Sequence, residues 1–372
     1  MSTHLPSHPH RLERFDTWMR EAQVDCAVVF GADHVTHLCG YSRFFAGPAA
    51  LVIGRDRSRT LVVMRDEIDA ARAGADADLV TGFGERGFGF DLDPVAGLVA
   101  ATAALPIVAA ARRLATASEI PRAEARLAAA VTAATVDASA ALARIRLVKD
   151  ADERARIRAA YELCWKGQAA AAATLAAGPS EIELFSIIQS TAQVAAGRPI
   201  EFVCDLLSGP ASALVCCPVH VAGQRRVGPG DPVVADVVVR CNGYWGDTAE
   251  THVAGVNAEV ADVRAELLRI LARAAGRLVP GTTGAGLFAE IETEIRAAFP
   301  EGEFPHHGGH GLGIGCFEDP HLIPADTRPL EAGMIIAVEP GVYFPGRFGA
   351  RVENVFVVTE AGGVELRAAA QA

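Results

Sequence analysis

The chain's most chemically suggestive residues are carboxylates set in runs that otherwise want none. Val233-Val-Ala-Asp236-Val-Val-Val239 reads as a strand, followed by Arg-Cys-Asn242-Gly243 and then Tyr244-Trp-Gly-Asp247. Asn-Gly between apolar runs is the strongest short hairpin signal. With Asn242 and Gly243 as the loop, Cys241 faces Tyr244 and Val238 faces Asp247. Asp236 stands two residues from Val238 and shares its face. The two aspartates become diagonal neighbours with Cα atoms about 7–8 Å apart, so their carboxylates converge. Asp is disfavoured in strands, and burying an unpaired carboxylate costs several kcal/mol. Something positive is expected between them.

A second pair repeats the arrangement. Met334-Ile-Ile-Ala-Val-Glu339 reads as a strand, and Ala350-Arg-Val-Glu353-Asn-Val-Phe-Val-Val358 as its return. Glu339 and Glu353 are equidistant from residue 346 and face each other across this hairpin. Arg351, on the face of Glu353, supplies one compensating charge at most. Between the hairpins runs Pro305-His306-His307-Gly-Gly-His310-Gly-Leu-Gly-Ile-Gly315. Gly308 and Gly309 argue against a helix, and no Glu follows His306, so the zinc-protease HExxH pattern is absent. The Gly-X-Gly run lacks the GK[ST] of a phosphate loop. A histidine in Gly-rich backbone beside four converging acids reads as a ligand. Asp236, Asp247, His310, Glu339 and Glu353 form an oxygen-rich set with one imidazole, suited to two divalent cations about 3.5–4 Å apart. Hard ligands point to Mn, with Co, Fe or Zn also compatible. Such a pair makes hydroxide available near neutral pH.

The elements that must position these groups fall into two parts. Residues 1–144 read as α/β: a helix over 11–22, strands at 25–31, 49–54 and 60–64, then mixed helices and short strands, including LPIVAAA (105–111). His34 and His37 are expected in a loop. Residues 145–372 read as α+β. Asp150 with Glu153 and Ser180 with Glu183 form capping-box patterns that open two helices, the first to about Leu175 and the second to about Gly197. Further helices are expected over 258–277 and from Pro280-Gly281 to Phe299. Gly-rich loops and strands fill the last seventy residues.

Composition narrows the function. Hydrophobic residues are 51% of the chain and charged residues 21%, which supports a large core and excludes disorder. A net charge of −11 disfavours nucleic acid and anionic membranes as partners. No stretch reads as a membrane span or a secretory signal, so a cytoplasmic protein is expected. The eight cysteines form no CxxC and read as reduced thiols, mostly in the core.

The motifs resemble those of the pita-bread metallohydrolases: prolidase, aminopeptidase P, methionine aminopeptidase and the related creatinase. The matching segments are Asp236 and Asp247 eleven apart with Gly-Tyr between, GHGLG around His310, VEPGVY around Glu339 and RVENV around Glu353. IRLVKDADERARIR and HVTHLCGY extend the resemblance over nearly the whole chain. It implies an α/β N-terminal domain (1–144) and a pita-bread catalytic domain (145–372), often in a homodimer. It implies that Asp236, Asp247, His310, Glu339 and Glu353 hold two metal ions and that Glu339 is also the general base. His306 matches a substrate-side histidine. His220 lies near the place of another, although LVCCPVH (214–220) carries an insertion there.

Three departures stand out. Seven residues after His310, where the family's peptidases usually carry a histidine that steadies the tetrahedral intermediate, this chain has Phe317, followed by the expected Glu318. Losing one such donor costs about 2.7–4 kcal/mol in a transition state. The usual Thr-Arg-Thr reads Ala249-Glu250-Thr251. His307 and His321 are extra histidines, and His321 is expected to stand in partly for the missing one. The leading expectation is a dinuclear hydrolase of an amide C–N bond, with an Xaa-Pro dipeptide or a small non-peptide amide as substrate. The alternatives are a small-molecule lyase or creatinase-like hydrolase on the same fold, and a binding protein without catalysis.

Overall fold

The structure, a computed structural model, describes residues 9–43, 47–85, 92–214 and 222–367. The chain divides into two units, Met1–Arg146 and Leu147–Ala372; the sequence reading put this break after residue 144.

In the first unit, strands buried on both faces build one sheet. β1 (Cys26–Phe30), β2 (Ala50–Gly54), β3 (Arg59–Met64), β4 (Leu79–Phe83), β5 (Arg113–Ser118) and β6 (Ala134–Asp137) run in the order β4-β3-β2-β1-β5-β6. Cys26, Val28 and Phe30 pack on one side with Leu98 and Leu127, while Ala27 and Val29 pack on the other with Phe15, Met19 and Leu142. A strand covered by helices on both sides needs a continuous apolar run, which CAVVF supplies.

Two expectations fail here. Pro106–Ala109 within LPIVAAA is a short helix, with Pro106 in its first turn, where the missing N–H costs nothing. The strand follows at Arg113–Ser118. His34 and His37 lie in a helix, Ala32–Cys39, bounded by Gly31 and Gly40. That short turn of helix has too few residues to show a periodic apolar face. Both histidines are buried, and His34 Nδ1 meets Arg146 at 2.9 Å.

The second unit opens with helices Ala151–Thr174 and Glu181–Ala196, each with the expected capping box formed. A three-stranded antiparallel sheet follows, β7 (Glu201–Ser208), β8 (Pro232–Cys241) and β9 (Tyr244–Val253), in the order β7-β8-β9. Helices Ala258–Gly276 and Gly284–Ala298 come next. The remaining strands are β10 (Gly309–Gly311), β11 (Glu318–His321), β12 (Ile335–Val338), β13 (Gly341–Phe344), β14 (Phe348–Arg351), β15 (Asn354–Thr359) and β16 (Gly362–Glu365). Five of them form a sheet ordered β11-β10-β12-β15-β16, and β13 pairs with β14. Among the described cysteines, five are buried and Cys316 is half-buried. Cys216 and Cys217 lie outside the described residues.

Among the described residues, no helix is long and apolar enough to cross a membrane.

Candidate metal centre

The first hairpin turns on Asn242 and Gly243, with φ of 53° and 83°. Both loop residues are left-handed, as a two-residue turn matched to strand twist requires. Cys241 pairs with Tyr244, Val238 with Asp247, and Asp236 with Ala249, which is the expected register. The second hairpin keeps one register across a break. Val338 pairs with Asn354 in one sheet, and Gly341 pairs with Arg351 in the other. Glu339 and Glu353 sit in the gap between these ladders. Their amides turn sideways: Glu339 N donates to Gly308 O at 3.0 Å, and Glu353 N to Ala249 O at 2.8 Å. Thr248 Oγ1 donates to Glu353 O at 2.9 Å, and Arg351 N donates to Thr251 Oγ1 at 2.9 Å. The two hairpins are thus stitched together along β9. Glu250, one step along the same strand, faces the other way and is held by Arg264 through two bonds of 2.6 Å.

His310 enters from β10. Gly309 before it has φ of 146°, and a Cβ there would stand 2.0 Å from Ala337 O, so only glycine lets this strand lie so close to β12. Ligand atoms of Asp247, His310 and Glu353, all buried, lie within 4.8 Å of one another. Glu339 Oε1 is 3.8 Å from His310 Nε2. Asp236 is drawn in by Arg351, whose Nη1 is 3.4 Å from its Oδ2. The five residues singled out in the sequence therefore gather in one buried cluster.

The electrostatics of this cluster are one-sided. His310 Nδ1 lies 2.9 Å from Gly311 O, which places the ring hydrogen there. Nε2 then offers a lone pair to two carboxylates, Asp247 Oδ2 at 3.7 Å and Glu339 Oε1 at 3.8 Å. Burial pushes the His310 pKa down to about 3, so the ring is neutral and these contacts set acceptor against acceptor. Asp236 Oδ1, Asp247 Oδ1 and Glu353 Oε1 are buried without a hydrogen-bond partner. Burial, then the neighbouring carboxylates, raise Asp247 and Glu353 well above the usual carboxylate range. Burial raises Glu339 to about 7. Asp236 is raised by burial and partly held back by Arg351.

Asp205 on β7 belongs to the cluster and was not singled out in the sequence. It pairs with Asp236 across the sheet and meets Arg351 Nη2 at 2.9 Å. Among the described residues, the carboxylates of the cluster outnumber the Arg351 guanidinium that two of them meet. Bare acceptors, orphaned oxygens and this excess of carboxylates fit bound divalent cations.

The remaining histidines are distributed unevenly. His306 is half-buried, with Nδ1 2.7 Å from His307 O and Nε2 3.1 Å from the Tyr343 hydroxyl. Both ring nitrogens have partners within the chain. It lies 4.0 Å from Glu339 Oε2. His220 lies outside the described residues. His321 does not reach the cluster: its Nε2 is 3.8 Å from Asp319, which Arg328 holds at 2.7 Å. It stands opposite His310 across the β10–β11 pair, yet among the described residues its ion pair is with this local acid and not with the carboxylates of the cluster. His307 is the additional imidazole that does reach it, with Nδ1 3.4 Å from Glu339 Oε1. Phe317 lies over His310, ring centroids 4.4 Å apart.

Comparison with known proteins agrees with this architecture. Residues 155–360 match the model of Metallopeptidase family M24, and residues 11–148 match the Creatinase/Prolidase N-terminal domain. The Xaa-Pro dipeptidase of Pyrococcus furiosus is 31% identical over 224 residues, 60% of this chain and 63% of that protein. A Mycobacterium tuberculosis protein described as "Probable dipeptidase PepE" is 31% identical over 227 residues, 60% of each chain. The match thus spans about 60% of the length of these curated relatives. The crystal structure of dipeptidase PepE from Mycobacterium ulcerans superposes with a TM-score of 0.75 at 27% identity, covering 97% of both chains. The prolidase from Pyrococcus horikoshii superposes with a TM-score of 0.79 at 22% identity, covering 96% of this chain and 97% of the other. The chain shares their fold, an α/β first domain and an α+β pita-bread second domain.

Proposed function

The chain belongs to metallopeptidase family M24, and from that premise we propose that it is a metal-dependent hydrolase of an amide C–N bond, with Xaa-Pro dipeptides as its first substrate class. The observation that carries this reading is the neutral His310 Nε2 facing two carboxylates across a buried space. Asp236, Asp247, His310, Glu339 and Glu353 would hold two divalent cations, Mn first, then Co, Fe or Zn. When bound, such ions polarise a carbonyl and lower the pKa of a water between them towards neutrality. Glu339, beside His310 Nε2 at 3.8 Å, would take the proton from the attacking water as general base. Tyr343 and His306 hold the backbone at His307 through their linked bonds. Arg351 holds Asp236 in place and opposes its protonation.

Phe317 favours a second reading within the same chemistry. An apolar ring over His310 supplies no hydrogen bond to a developing oxyanion. A small non-peptide amide that needs less help at that position is the runner-up substrate. A homodimer remains part of the proposal.

The test is direct. Purified protein loaded with Mn²⁺ is assayed against an Xaa-Pro dipeptide panel, and metal content is measured on the same sample. Two metal ions per chain with turnover of at least one dipeptide is the expected result. Bound metal without turnover across the panel removes the peptidase reading and leaves the non-peptide amide. Full activity after chelation removes both.

A further inference from the structure

Two side chains at the edge of the carboxylate cluster take no part in holding it. His307 Nδ1 lies 3.1 Å from Gly309 O and 3.4 Å from Glu339 Oε1. Both neighbours accept, so Nδ1 carries a hydrogen towards them and Nε2 is the ring nitrogen left for another partner. Among the described residues nothing bonds that nitrogen. The His307 side chain is 29% exposed, against 10% for His306. Phe317 is 63% exposed, with its ring 4.4 Å from that of His310 and 6.1 Å from that of His307.

A lone exposed aromatic is ordinary on a protein surface. This one is held. Lys149 Nζ, buried, meets Glu318 Oε2 at 2.8 Å, and Gly315 N donates to Glu318 Oε1 at 2.9 Å. The residue after Phe317 is thereby anchored by a buried charge pair and a backbone bond. A fixed apolar face beside a free imidazole nitrogen, at the rim of a cluster that demands cations, has the make-up of a substrate wall: a few placed polar atoms and an apolar surface.

We propose that His307 and Phe317 select the substrate, with His307 Nε2 accepting a hydrogen bond from a substrate N–H and Phe317 covering an apolar side chain next to it. The inference rests on the amide-hydrolase reading above. It predicts a preference for Leu-Pro over Gly-Pro.

The experiment uses the full chain loaded with Mn²⁺, comparing wild type with His307→Ala, His307→Gln and Phe317→Ala on both dipeptides, with metal content measured for each. His307→Ala is expected to raise KM roughly tenfold or more at unchanged metal content, and His307→Gln, whose amide lies near the place of Nε2, to recover part of the loss. Phe317→Ala is expected to cut the Leu-Pro to Gly-Pro ratio in kcat/KM about tenfold. An unchanged KM in His307→Ala, loss of metal in that variant, or an unchanged ratio in Phe317→Ala overturns the assignment. Calorimetric titration separates this outcome from failure of the hydrolase reading. Wild type that binds Leu-Pro without cleaving it removes the peptidase reading, and the dissociation constants of the same variants then decide the subsite by the same criteria. If wild type binds neither dipeptide, the subsite is refuted.

Discussion

The amide of Glu353 donates to the carbonyl of Ala249 at 2.8 Å, and through that bond the return strand of one hairpin lies against the return strand of the other. Thr251 extends the seam. Its hydroxyl accepts from Arg351 N at 2.9 Å and donates to Arg351 O at 2.8 Å, in a buried setting. Thr251→Val keeps the shape and removes both bonds, leaving a buried N–H and C=O unsatisfied. A loss of about 1–3 kcal/mol per stranded group is the order expected. Urea unfolding of the metal-free protein measures it. Metal affinity should fall too, because Glu353 and Asp247 are held at their mutual distance by this seam. A variant with wild-type stability would show that the seam is not what joins the hairpins.

The pH dependence of the metal-free protein follows from opposing groups. Glu339 is raised to about 7 from an ordinary 4.5, and Asp236, Asp247 and Glu353 are raised as well, all chiefly by burial. The folded state binds more protons than the unfolded state above about 4.5, so their contribution is complete below that pH and is lost as pH rises through 7. His34, His306 and His310 are lowered to about 3 from 6.5, again chiefly by burial. Their contribution has the opposite sign: it grows from pH 3 to 6.5 and is complete above. Above 6.5 only the carboxylates still act. The Tm of metal-stripped protein should therefore fall between pH 6.5 and 8.5, and added Mn²⁺ should raise Tm more at the upper end. A Tm gain from metal that shrinks over this range would contradict the cluster's role.

What was legible in the sequence was whatever local chemistry decides. Asn242-Gly243 specifies its own turn, and the turn then dictates that Val238 meets Asp247 and that Asp236 shares their face. Two capping boxes announce their helices for the same reason. The Glu339–Glu353 register was readable from symmetry about residue 346, but the ladder break between them was not, because it depends on amides that bond to Gly308 and Ala249 elsewhere in the chain. Asp205 escaped notice because one acid in an apolar strand looks like an edge residue; its partner Asp236 lies 31 positions on. Counting from Phe317 gives the position of His321 but not its ion pair with Asp319, two residues before it. His307 reaches the cluster only because the backbone turns at Gly309.

Glu339→Gln separates holding from chemistry. The amide keeps one oxygen for a cation and the volume of the side chain, but it takes no proton at neutral pH. Turnover should fall by about 10²–10⁴ with KM little changed. Elemental analysis should find most of the metal retained. A variant that keeps half of the wild-type kcat would show that another group is the base.

Arg351 is a guanidinium set among the acids of the cluster, bonded to Asp205 at 2.9 Å and 3.4 Å from Asp236. Removing one member of a buried charge set strands the others, at a cost of about 3–5 kcal/mol. Arg351→Met should therefore destabilise the metal-free protein by that order, measured by urea unfolding. Asp205→Asn should cost less, because its amide oxygen still accepts from the guanidinium and one excess negative charge is gone. The two variants should then diverge when metal is added. Loss of Arg351 deepens the negative potential at Asp236, so Mn²⁺ should restore more stability to Arg351→Met than it adds to wild type, and less to Asp205→Asn. Equal metal-dependent gains in the three proteins would mean that Asp205 and Arg351 are electrically remote from the cations, and the assignment of Asp236 as a shared ligand would fall with that result.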